Sequence, residues 1–485
     1  MTLGELIGPE AKLSVTQAAT PITGLTADSR KVEPGYLFAA LPGVNTDGTR
    51  FIADAVSRGA AAVLVPEGTQ LEQNALLIAD ADPRRRLALI AARFFGAQPE
   101  TTVAVTGTNG KTSVASFVRQ LWAAQGAKAA SLGTIGVVTP DGTNDLRHTT
   151  PDPIELHGIL AELAKEQITH LALEASSHGL QQRRIDGVKL AAGAFTNISR
   201  DHLDYHATFE DYFAHKLRLF RELLSEGAAA VIDMDGDGSA RVASEAKARG
   251  LDLITVGRAG KTLRLVSADI DGFAQVLGIE HEGKHHTVRL PLVGGFQAAN
   301  ALVAAGLVMA TGGRAGDVLP NLASLRGARG RLDLGGTAPC GAPIFIDYAH
   351  TPDALAKALD ALRPYVANRL LVVFGCGGDR DKGKRPQMGA ASAAKADIVI
   401  VTDDNPRSED PSGIRREILG AASGATEIGD RAEAVAEAVA MLEKGDVLLV
   451  AGKGHETGQT VGTAVIPFSD HEAVSAALND EAKRG

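Results

Sequence analysis

The sequence predicts an α/β protein of three domains, in which a central domain with a P-loop-type, mostly parallel sheet is flanked by two further α/β domains. The first observation is the length of 485 residues, since one domain typically contains about 100 to 200 residues. The second is an apolar strand, a glycine loop and a helical pattern that follow one another at residues 102–122. The third is a series of apolar runs, each ending in a polar loop, within residues 331–485.

The composition excludes several classes of function. A net charge of −9 and an aromatic content of 4% argue against a nucleic-acid-binding protein. The N-terminus has no signal-peptide pattern and no apolar run is long enough to span a membrane, so we expect a cytoplasmic protein without a membrane segment. Two cysteines cannot form a disulfide framework, and we expect Cys376, in a glycine loop, to be an unreactive thiol.

The N-terminal domain is predicted to span residues 1–97. Short apolar segments at residues 37–41 and 61–65 indicate strands that are separated by turns. The block ends near residues 96–100, where glycine and proline interrupt the pattern.

The central domain, residues 98–330, begins with a predicted phosphate-binding loop at residues 107–112 (Gly-Thr-Asn-Gly-Lys-Thr). Backbone N–H groups at such a strand–loop–helix junction converge on an anion, Lys111 adds a positive charge and the Thr112 hydroxyl can bind Mg²⁺. Val105 stands where the general P-loop motif has its first glycine, so the loop is a shorter variant. The alternative is an ordinary turn between a strand and a helix.

Glu174 ends a second apolar run of the central domain, at residues 171–173. A buried carboxylate at the end of a strand is unfavourable without a cation, so Glu174 is a candidate magnesium ligand. The alternative is a glutamate that caps a helix. The domain ends in a basic, glycine-rich stretch at residues 325–331, which indicates a linker.

The C-terminal domain, residues 331–485, is predicted to be Rossmann-like. Apolar runs at residues 344–346, 370–374, 398–401 and 447–451 are separated by helical segments, which indicates a parallel sheet buried on both faces. Ligands of such sheets bind beyond the carboxyl ends of the strands, and the charged residues of this domain cluster there. We therefore expect a binding site at that edge rather than ordinary solvated loops.

Ordered motifs over nearly the whole chain resemble those of the Mur ligases, ATP-dependent enzymes that build the peptide stem of peptidoglycan. The motifs lie at residues 28–30 (Asp-Ser-Arg), 107–113, 149–151, 174–179, 197–204, 347–352, 378–385, 404–407 (Asp-Asn-Pro-Arg) and 452–456 (Gly-Lys-Gly-His-Glu). The resemblance implies that ATP phosphorylates a substrate carboxylate. An amine then attacks the acyl phosphate, and phosphate leaves as the amide forms.

The resemblance further implies bound ATP and Mg²⁺. The residues expected to contact ATP are Gly107, Thr108, Asn109, Gly110, Lys111, Thr112, Ser113, Asn300, Arg331 and Asp347. The expected catalytic residues are Lys111, Glu174, His202 and Lys216, and the expected metal ligands are Thr112, Glu174, His202 and Lys216. Lys216 would carry a carbamate derived from CO₂, because an unmodified ammonium would repel Mg²⁺. The alternative for Lys216 is a solvated helix lysine. Gln297 is not among the residues expected to contact ATP, because the family more usually has asparagine there.

Two other small-molecule substrates are implied, UDP-N-acetylmuramoyl-L-alanyl-D-glutamate and meso-diaminopimelate, and we expect a monomer. The residues expected to bind the uridine nucleotide and its peptide are Ser29, Val44, Asn45, Thr46, Thr149, Thr150, Ser176, Gln182 and Arg184. The residues expected to bind diaminopimelate are Arg380, Asp404, Asn405, Pro406, Arg407, Gly452 and Glu456. Arg407 would pair with the distal carboxylate, which lysine lacks, so L-lysine would leave this arginine without a partner.

Three other functions remain open at this stage. The first is the same ligase with L-lysine as its amino acid, and the second is a folate polyglutamate or D-glutamate-adding ligase on the same scaffold. The motifs at residues 28–30 and 404–407 argue against that second alternative. The third is a non-catalytic, nucleotide-gated binding protein, against which the intact Lys111, Glu174 and Lys216 argue.

Overall fold

A computed structural model of the protein describes residues 1–8, 13–43, 47–70, 75–199, 201 and 205–484. The chain forms two compact units. The first contains Met1–Arg264 and Leu302–Val318, and the second contains Leu265–Ala301 and Leu319–Gly485.

The N-terminal part of the first unit is a four-stranded parallel sheet with strand order β1-β2-β3-β4. The strands are β1 (Gly24–Thr26), β2 (Tyr36–Ala39), β3 (Ala62–Pro66) and β4 (Leu77–Asp80). The helices are α1 (Leu3–Ile7), α2 (Val15–Ala18), α3 (Ile52–Ser57) and α4 (Pro83–Phe95). The predicted strands at residues 37–41 and 61–65 are therefore confirmed to within a residue or two at their ends.

The largest sheet has eleven strands in the order β15-β14-β13-β12-β11-β10-β5-β9-β6-β7-β8. Its strands are β5 (Thr101–Thr106), β6 (Ala129–Gly133), β7 (Gly136–Thr139), β8 (Gly142–Asn144), β9 (His170–Glu174), β10 (Leu190–Phe195), β11 (Ala229–Asp233), β12 (Asp252–Gly257), β13 (Leu263–Asp271), β14 (Ala274–His281) and β15 (Lys284–Leu290). Strand β5 lies between β10 and β9 and is parallel to both. Val105 is in register with Glu174, so the end of β9 lies beside the start of the phosphate loop.

The helices of this region follow from their sequence patterns and end residues. They are α5 (Lys111–Ala124), α6 (Pro153–Lys165), α7 (Ser177–Gln181), α8 (Phe209–Arg218), α9 (Ser239–Ala248), α10 (Gly295–Ala310) and α11 (Ala315–Val318). Helix α5 buries Val114, Phe117 and Leu121 on one side, which is the predicted apolar face. Helix α8 begins at an N-cap, Thr208, whose side chain accepts a hydrogen bond from the Asp211 amide.

The second unit contains a six-stranded sheet with strand order β16-β17-β21-β18-β19-β20. Its strands are β16 (Asp333–Thr337), β17 (Pro343–Asp347), β18 (Leu370–Phe374), β19 (Ile398–Val401), β20 (Thr426–Glu427) and β21 (Val447–Ala451), and a separate hairpin contains β22 (Gly458–Val461) and β23 (Ala464–Pro467). The four strands predicted from apolar runs are confirmed as neighbours in a parallel arrangement. Their carboxyl ends share one edge of the sheet, where the loops after residues 347, 374, 401 and 451 begin.

Helices cover both faces of this sheet. They are α12 (Pro352–Leu362), α13 (Lys384–Lys395), α14 (Pro411–Leu419), α15 (Arg431–Ala440) and α16 (Asp470–Arg484). Leu359, Val372 and Met388 belong to the apolar core on one face, and Ile346, Leu448 and Val435 belong to the core on the other. Among the described residues, no helix is both long and apolar enough to cross a membrane.

Candidate active site

The phosphate loop adopts a backbone that only glycine can form at two positions. Gly107 has φ +146°, and a Cβ atom there would lie 2.0 Å from the Thr196 hydroxyl. Gly110 has φ +89° and is the N-cap of α5. Thr196 Oγ1 donates to the Asn109 carbonyl at 2.6 Å, which ties the loop to the end of β10. The loop is therefore held open by the neighbouring strand, with the N-terminus of α5 behind it.

Two lysine side chains converge on one carbonyl of this loop. Lys111 Nζ donates to Gly107 O at 2.9 Å and to Thr108 O at 2.8 Å. Lys216 Nζ, from helix α8, donates to the same Gly107 O at 2.7 Å. The fold thus places Lys216 at the phosphate loop, although it lies 105 positions after Lys111 in the chain.

Lys216 is not the solvated helix lysine of the alternative interpretation, since only 1% of its surface is exposed. Burial lowers the pKa of its amine well below the usual value, the Lys111 ammonium lowers it further, and Asp201 opposes both effects. The Tyr212 ring lies 4.5 Å from Nζ and forms part of the enclosure. The lowered pKa favours the neutral amine, which is the nucleophilic form.

Glu174 lies at the centre of a group of oxygen atoms beside the phosphate loop. Its Oε2 accepts hydrogen bonds from Thr112 Oγ1 at 3.0 Å and from Thr134 Oγ1 at 3.2 Å, and its Oε1 accepts from the Thr134 amide at 2.8 Å. Glu174 is 1% exposed, and a Cβ atom on Gly133 would lie 2.0 Å from its Oε1. A buried carboxylate with neighbouring hydroxyls matches the oxygen ligands that Mg²⁺ prefers, so Thr112 and Glu174 fit the implied metal.

Most of the residues expected to bind the peptide form a continuous chain of hydrogen bonds that starts at Glu174. Thr149 bonds Thr134 at 3.1 Å, and the Thr150 hydroxyl donates to Glu174 O at 2.8 Å. The remaining links of this chain join Thr150 to Ser176 at 3.1 Å, Arg184 Nη1 to Thr150 O at 2.6 Å, and Arg184 Nη2 to Gln182 Oε1 at 2.9 Å. The five predicted residues Thr149, Thr150, Ser176, Gln182 and Arg184 are thus brought together beside the phosphate loop.

Four predicted residues lie outside the described residues, and a fifth is remote in sequence from the phosphate loop. The four are His202, Val44, Asn45 and Thr46. Ser29 is buried at the start of a 3₁₀ helix, Ser29–Lys31, in the N-terminal sheet region. A hydrogen bond from Arg58 lowers the pKa of the Asp54 carboxyl, and a weaker contribution comes from a hydrogen bond with the Ser29 side chain.

The predicted nucleotide residues of the second unit form a local network. Asn300 Nδ2 donates to Gln297 Oε1 at 3.1 Å, and Gln297 Nε2 donates to the Arg331 carbonyl at 3.2 Å. Asp347 accepts from the amides of Leu332 at 2.7 Å and Ala349 at 2.8 Å, and burial raises the pKa of its carboxyl against the opposing effect of Arg331. Asn300 and Arg331 are therefore joined through Gln297, a residue that the sequence had not indicated for the site.

The loop at residues 404–407 is folded against the end of β18. Arg407 has φ +52°, which is uncommon for a residue other than glycine, and its amide donates to Thr460 O at 3.0 Å in the hairpin. Its Nη1 donates to Gly378 O at 2.8 Å, and a Cβ atom on Gly377 would lie 2.7 Å from that nitrogen. The glycine loop after β18 thus leaves room for the guanidinium of Arg407.

Asn405 and Glu456 are hydrogen-bonded to each other, and a buried lysine joins them. Asn405 Nδ2 donates to Glu456 Oε2 at 3.0 Å, and Lys453 Nζ lies 3.1 Å from the same oxygen. Asp404 is buried, with Oδ1 3.6 Å from Lys453 Nζ, and Gly452 takes φ +114° beside it. Arg380, by contrast, is exposed, and its Nη1 donates to the neighbouring Asp379 carbonyl at 3.2 Å.

Two other features are explained by their own surroundings, namely the group formed by His206, Asp211 and His215, and the thiol of Cys376. His206 Nδ1 and His215 Nε2 lie 3.3 Å and 3.2 Å from the two Asp211 oxygens, and these atoms could also hold a metal ion. Cys376 is buried, and burial raises the pKa of its thiol to about 12, in agreement with the expected unreactive thiol.

Sequence reasoning missed three residues of the site, because their contacts or their burial are not visible in the sequence. Thr134 bonds Glu174 because β6 and β9 are neighbours in the sheet. Gln297 hydrogen-bonds the Asn300 side chain and the Arg331 carbonyl, so it links two predicted nucleotide residues. Lys453 was visible within the Gly-Lys-Gly-His-Glu motif, but its burial was not.

Comparison with known proteins covers nearly the whole chain. Residues 21–95, 105–308 and 330–454 match the models described as the Mur ligase family catalytic domain, the Mur ligase middle domain and the Mur ligase glutamate ligase domain. The UDP-N-acetylmuramoyl-L-alanyl-D-glutamate–2,6-diaminopimelate ligases of Bradyrhizobium diazoefficiens and Brucella melitensis are 58% and 55% identical to this chain, over 99% of both chains and 94% of both chains.

Solved structures give the same result for the fold. A structure of a ligase with that same name is 32% identical, with a TM-score of 0.75 over 99% of each chain. A MurF ligase from Thermotoga maritima, in complex with ADP, has a TM-score of 0.61 at 20% identity and covers 96% of this chain and 99% of its own, which supports the fold alone.

Proposed function

This chain belongs to the Mur ligase family, and from that premise we propose that it joins meso-diaminopimelate to UDP-N-acetylmuramoyl-L-alanyl-D-glutamate in an ATP-dependent reaction of peptidoglycan precursor synthesis. It is an ATP-dependent amide-bond-forming ligase with the three-domain α/β fold of the family. The observation that carries the choice of substrates is the sequence identity of 58%, over 99% of the chain, with a ligase named for them.

The work is divided among three domains in this proposal. Residues 1–97 bind the uridine nucleotide with Ser29 and residues 44–46, residues 98–330 bind ATP, and residues 331–485 bind the amino acid. The support is the position of the phosphate loop in the central sheet and of the 404–407 loop at the carboxyl edge of the C-terminal sheet.

The residues around the phosphate loop stabilise the charge of the transferring phosphoryl group. Lys111 supplies a positive charge to the phosphates. Its ammonium bonds two backbone carbonyls of the loop, and phosphate oxygens can replace these carbonyls as acceptors. Thr112 and Glu174 would hold Mg²⁺, with His202 as a further ligand. When bound, Mg²⁺ supplies positive charge that stabilises the phosphoryl oxygens. Thr134 orients the Glu174 carboxylate by bonding both of its oxygens.

Lys216 is proposed to be carbamylated. The neutral amine attacks CO₂, an N–C bond forms as one C=O π bond opens, and the nitrogen releases one proton. The product is an anion in place of a cation, and its charge would be attracted to Lys111 instead of repelled by it. Burial beside Lys111 supports this step, because it lowers the pKa of Lys216 and so favours the reactive neutral amine.

The peptide substrate is proposed to lie along Thr149, Thr150, Ser176, Gln182 and Arg184. Arg184 is suited to a substrate carboxylate, because its guanidinium can donate two parallel hydrogen bonds. The Thr150 carbonyl and the Gln182 amide oxygen, which accept from it, are both neutral acceptors that a carboxylate can replace. The carboxylate to be activated would be held close to Glu174, since Thr150 also bonds the Glu174 backbone.

Diaminopimelate is proposed to bind at the 404–407 loop. Arg407 pairs with the distal carboxylate, and Glu456 accepts a hydrogen bond from the distal amine. The pocket is shaped by Asp404, Asn405, Pro406 and Gly452. Arg407 supports this assignment, because its guanidinium bonds a backbone carbonyl at 2.8 Å and is only half-buried. Arg380, whose side chain is exposed, is proposed to complete the pocket.

The test offers meso-diaminopimelate and L-lysine together, in equal amounts, to the protein with ATP, Mg²⁺ and UDP-N-acetylmuramoyl-L-alanyl-D-glutamate. Mass spectrometry should find a product heavier by diaminopimelate less water. Reactions without ATP, and with Lys111→Met, serve as controls and should give no product. A lysine adduct would retain the ligase but overturn the assignment of Arg407, and the absence of any adduct would favour a non-catalytic binding protein.

A cytoplasmic monomer is the remaining part of the proposal. All of its proposed substrates are small molecules, and Cys340 and Cys376 are free thiols, as expected in a reducing compartment. Sedimentation at several protein concentrations tests the monomer, and a mass that doubles with concentration would refute it.

A further inference from the structure

Lys453 is a buried lysine whose partners all belong to the proposed diaminopimelate pocket. Its side chain is 0% exposed in the turn after β21. Its Nζ lies 3.1 Å from Glu456 Oε2, 3.3 Å from Asn405 Oδ1 and 3.6 Å from Asp404 Oδ1. Lysines are rarely buried unless paired, so these three groups explain how the ammonium is tolerated.

The bond from Lys453 determines how the Asn405 amide is oriented. Asn405 Oδ1 accepts from Lys453 Nζ and from the Thr460 amide at 2.9 Å, while Nδ2 donates to Glu456 Oε2 at 3.0 Å. Rotating the amide by 180° would direct its NH₂ group at two donors and its oxygen at a carboxylate. Asn405 is therefore fixed with its oxygen toward Lys453.

Glu456 is oriented by the same two residues. Both Asn405 and Lys453 bond its Oε2, whereas the side chain as a whole remains 32% exposed. One carboxylate oxygen is thus held by the protein, and the other can accept a hydrogen bond from a ligand amine.

We infer that Lys453 is a positioning residue for diaminopimelate, which holds Glu456 and Asn405 in the geometry that receives the distal ammonium. The inference rests on the proposed function and assigns a role to a residue that does not itself contact the substrate. Lys453 is fully buried and its three partners are protein groups, so a direct contact with diaminopimelate is not needed to account for it.

The local charges show what the removal of Lys453 would do. Asp404 and Glu456 are two carboxylates that share the Lys453 ammonium. A buried arginine of the same domain, Arg431, is already paired with Asp470 at 2.7 Å and 2.8 Å. Without Lys453, the two carboxylates would repel each other, and Glu456 would lose one of the two bonds that orient it.

The test compares Lys453→Met with the wild-type enzyme by steady-state kinetics on all three substrates. We expect the KM for diaminopimelate to rise on the order of 10- to 100-fold, because about 1.4 kcal/mol corresponds to each factor of ten and a charge-assisted bond contributes about that much or twice as much. The KM values for ATP and for the uridine nucleotide should stay within a factor of about three. Lys395→Met is the matched control, since Lys395 forms an exposed ion pair with Asp360 in the same domain.

A double-mutant cycle with Glu456→Gln distinguishes positioning from a general loss of structure. If Lys453 acts through Glu456, the loss in the double variant should be clearly smaller than the combined losses of the single variants. Additive losses, or equal rises in all three KM values, would overturn the inference. Lys453→Gln, which keeps a donor without the charge, serves in the same cycle if the methionine variant does not fold. A wild-type enzyme that does not use diaminopimelate would refute the proposed function instead, which the competition experiment detects separately.

Discussion

Replacing Lys216 with methionine should abolish the reaction and leave the protein at least as stable. Met has a similar volume but no charge, so the buried space stays filled. The Lys216 amine is 1% exposed, bonds a backbone carbonyl at 2.7 Å and is disfavoured in its charged form by Lys111. A residue that only supported the fold would show the opposite result, because its removal would lower the free energy of unfolding.

The sign and size of the effect follow from the lowered pKa. The unfolded chain holds a proton on Lys216 up to about pH 10.4, whereas the folded protein releases it at lower pH. Between these two pKa values, the wild-type free energy of unfolding should therefore rise with pH by about 1.4 kcal/mol per unit relative to Lys216→Met. Below the folded pKa the difference is constant, and there the methionine variant should be more stable by about 1.4 kcal/mol for each unit by which folding lowers the pKa.

The single tryptophan makes this measurement specific. Trp122 is buried in helix α5, which begins at the phosphate loop, so its fluorescence follows the unfolding of that unit. Urea unfolding at pH 7, 8 and 9, in bicarbonate-free buffer, gives the free energy of unfolding for wild type, Lys216→Met and the exposed control Lys247→Met. Turnover at saturating ATP is measured separately, in buffer supplied with bicarbonate, so that the wild-type enzyme can carry the proposed carbamate. A methionine variant that is less stable at every pH, or that retains near-normal turnover, would refute the reasoning.

Two other substitutions test separate parts of the site, and a third tests the stability of the central sheet. Arg407→Ala should raise the KM for diaminopimelate by 100-fold or more, because a carboxylate left without its partner costs about 3 kcal/mol. The KM for ATP should stay unchanged, and equal changes in both KM values would count against the assignment. Gly107→Ala should weaken ATP binding at least about tenfold, measured by calorimetry, because its Cβ would lie 2.0 Å from the Thr196 hydroxyl. Burial raises the pKa of Asp233 to about 6, so its contribution to stability is lost as pH rises toward and beyond 6. Asp233→Asn should therefore raise the free energy of unfolding by about 1 to 3 kcal/mol at pH 7, with a difference that disappears near pH 4.

The elements that sequence predicted well are those whose signal is local. The phosphate loop is flanked by a buried strand and an amphipathic helix, and each leaves a pattern within about 20 residues. The four parallel strands of the C-terminal sheet likewise appear as apolar runs, because both faces of each strand are covered. Their order in the sheet, with β21 between β17 and β18, is not visible in those runs.

The parts that sequence missed depend on which strands become neighbours. Thr134 contacts Glu174 only because β6 pairs with β9, and nothing in the residues around Thr134 indicates a role. The role of Arg380 stays a prediction, since its motif suggests a pocket residue and the structure shows only that its side chain is exposed. Family resemblance can identify a motif, but burial and orientation within the motif require the folded chain.

The two buried lysines Lys216 and Lys453 demand different explanations, although both are almost fully enclosed. Lys453 lies within 3.6 Å of two carboxylates, so its ammonium is balanced by its own surroundings. Lys216 instead bonds a carbonyl and is repelled by a second lysine, an arrangement that destabilises the folded chain on its own. Two events would remove that penalty, conversion of the amine to a carbamate or arrival of the ATP phosphates. Bicarbonate separates them, because in the absence of nucleotide only carbamylation should raise the wild-type free energy of unfolding while leaving Lys216→Met unchanged. If added bicarbonate has no effect on either protein, the proposed carbamate on Lys216 is refuted.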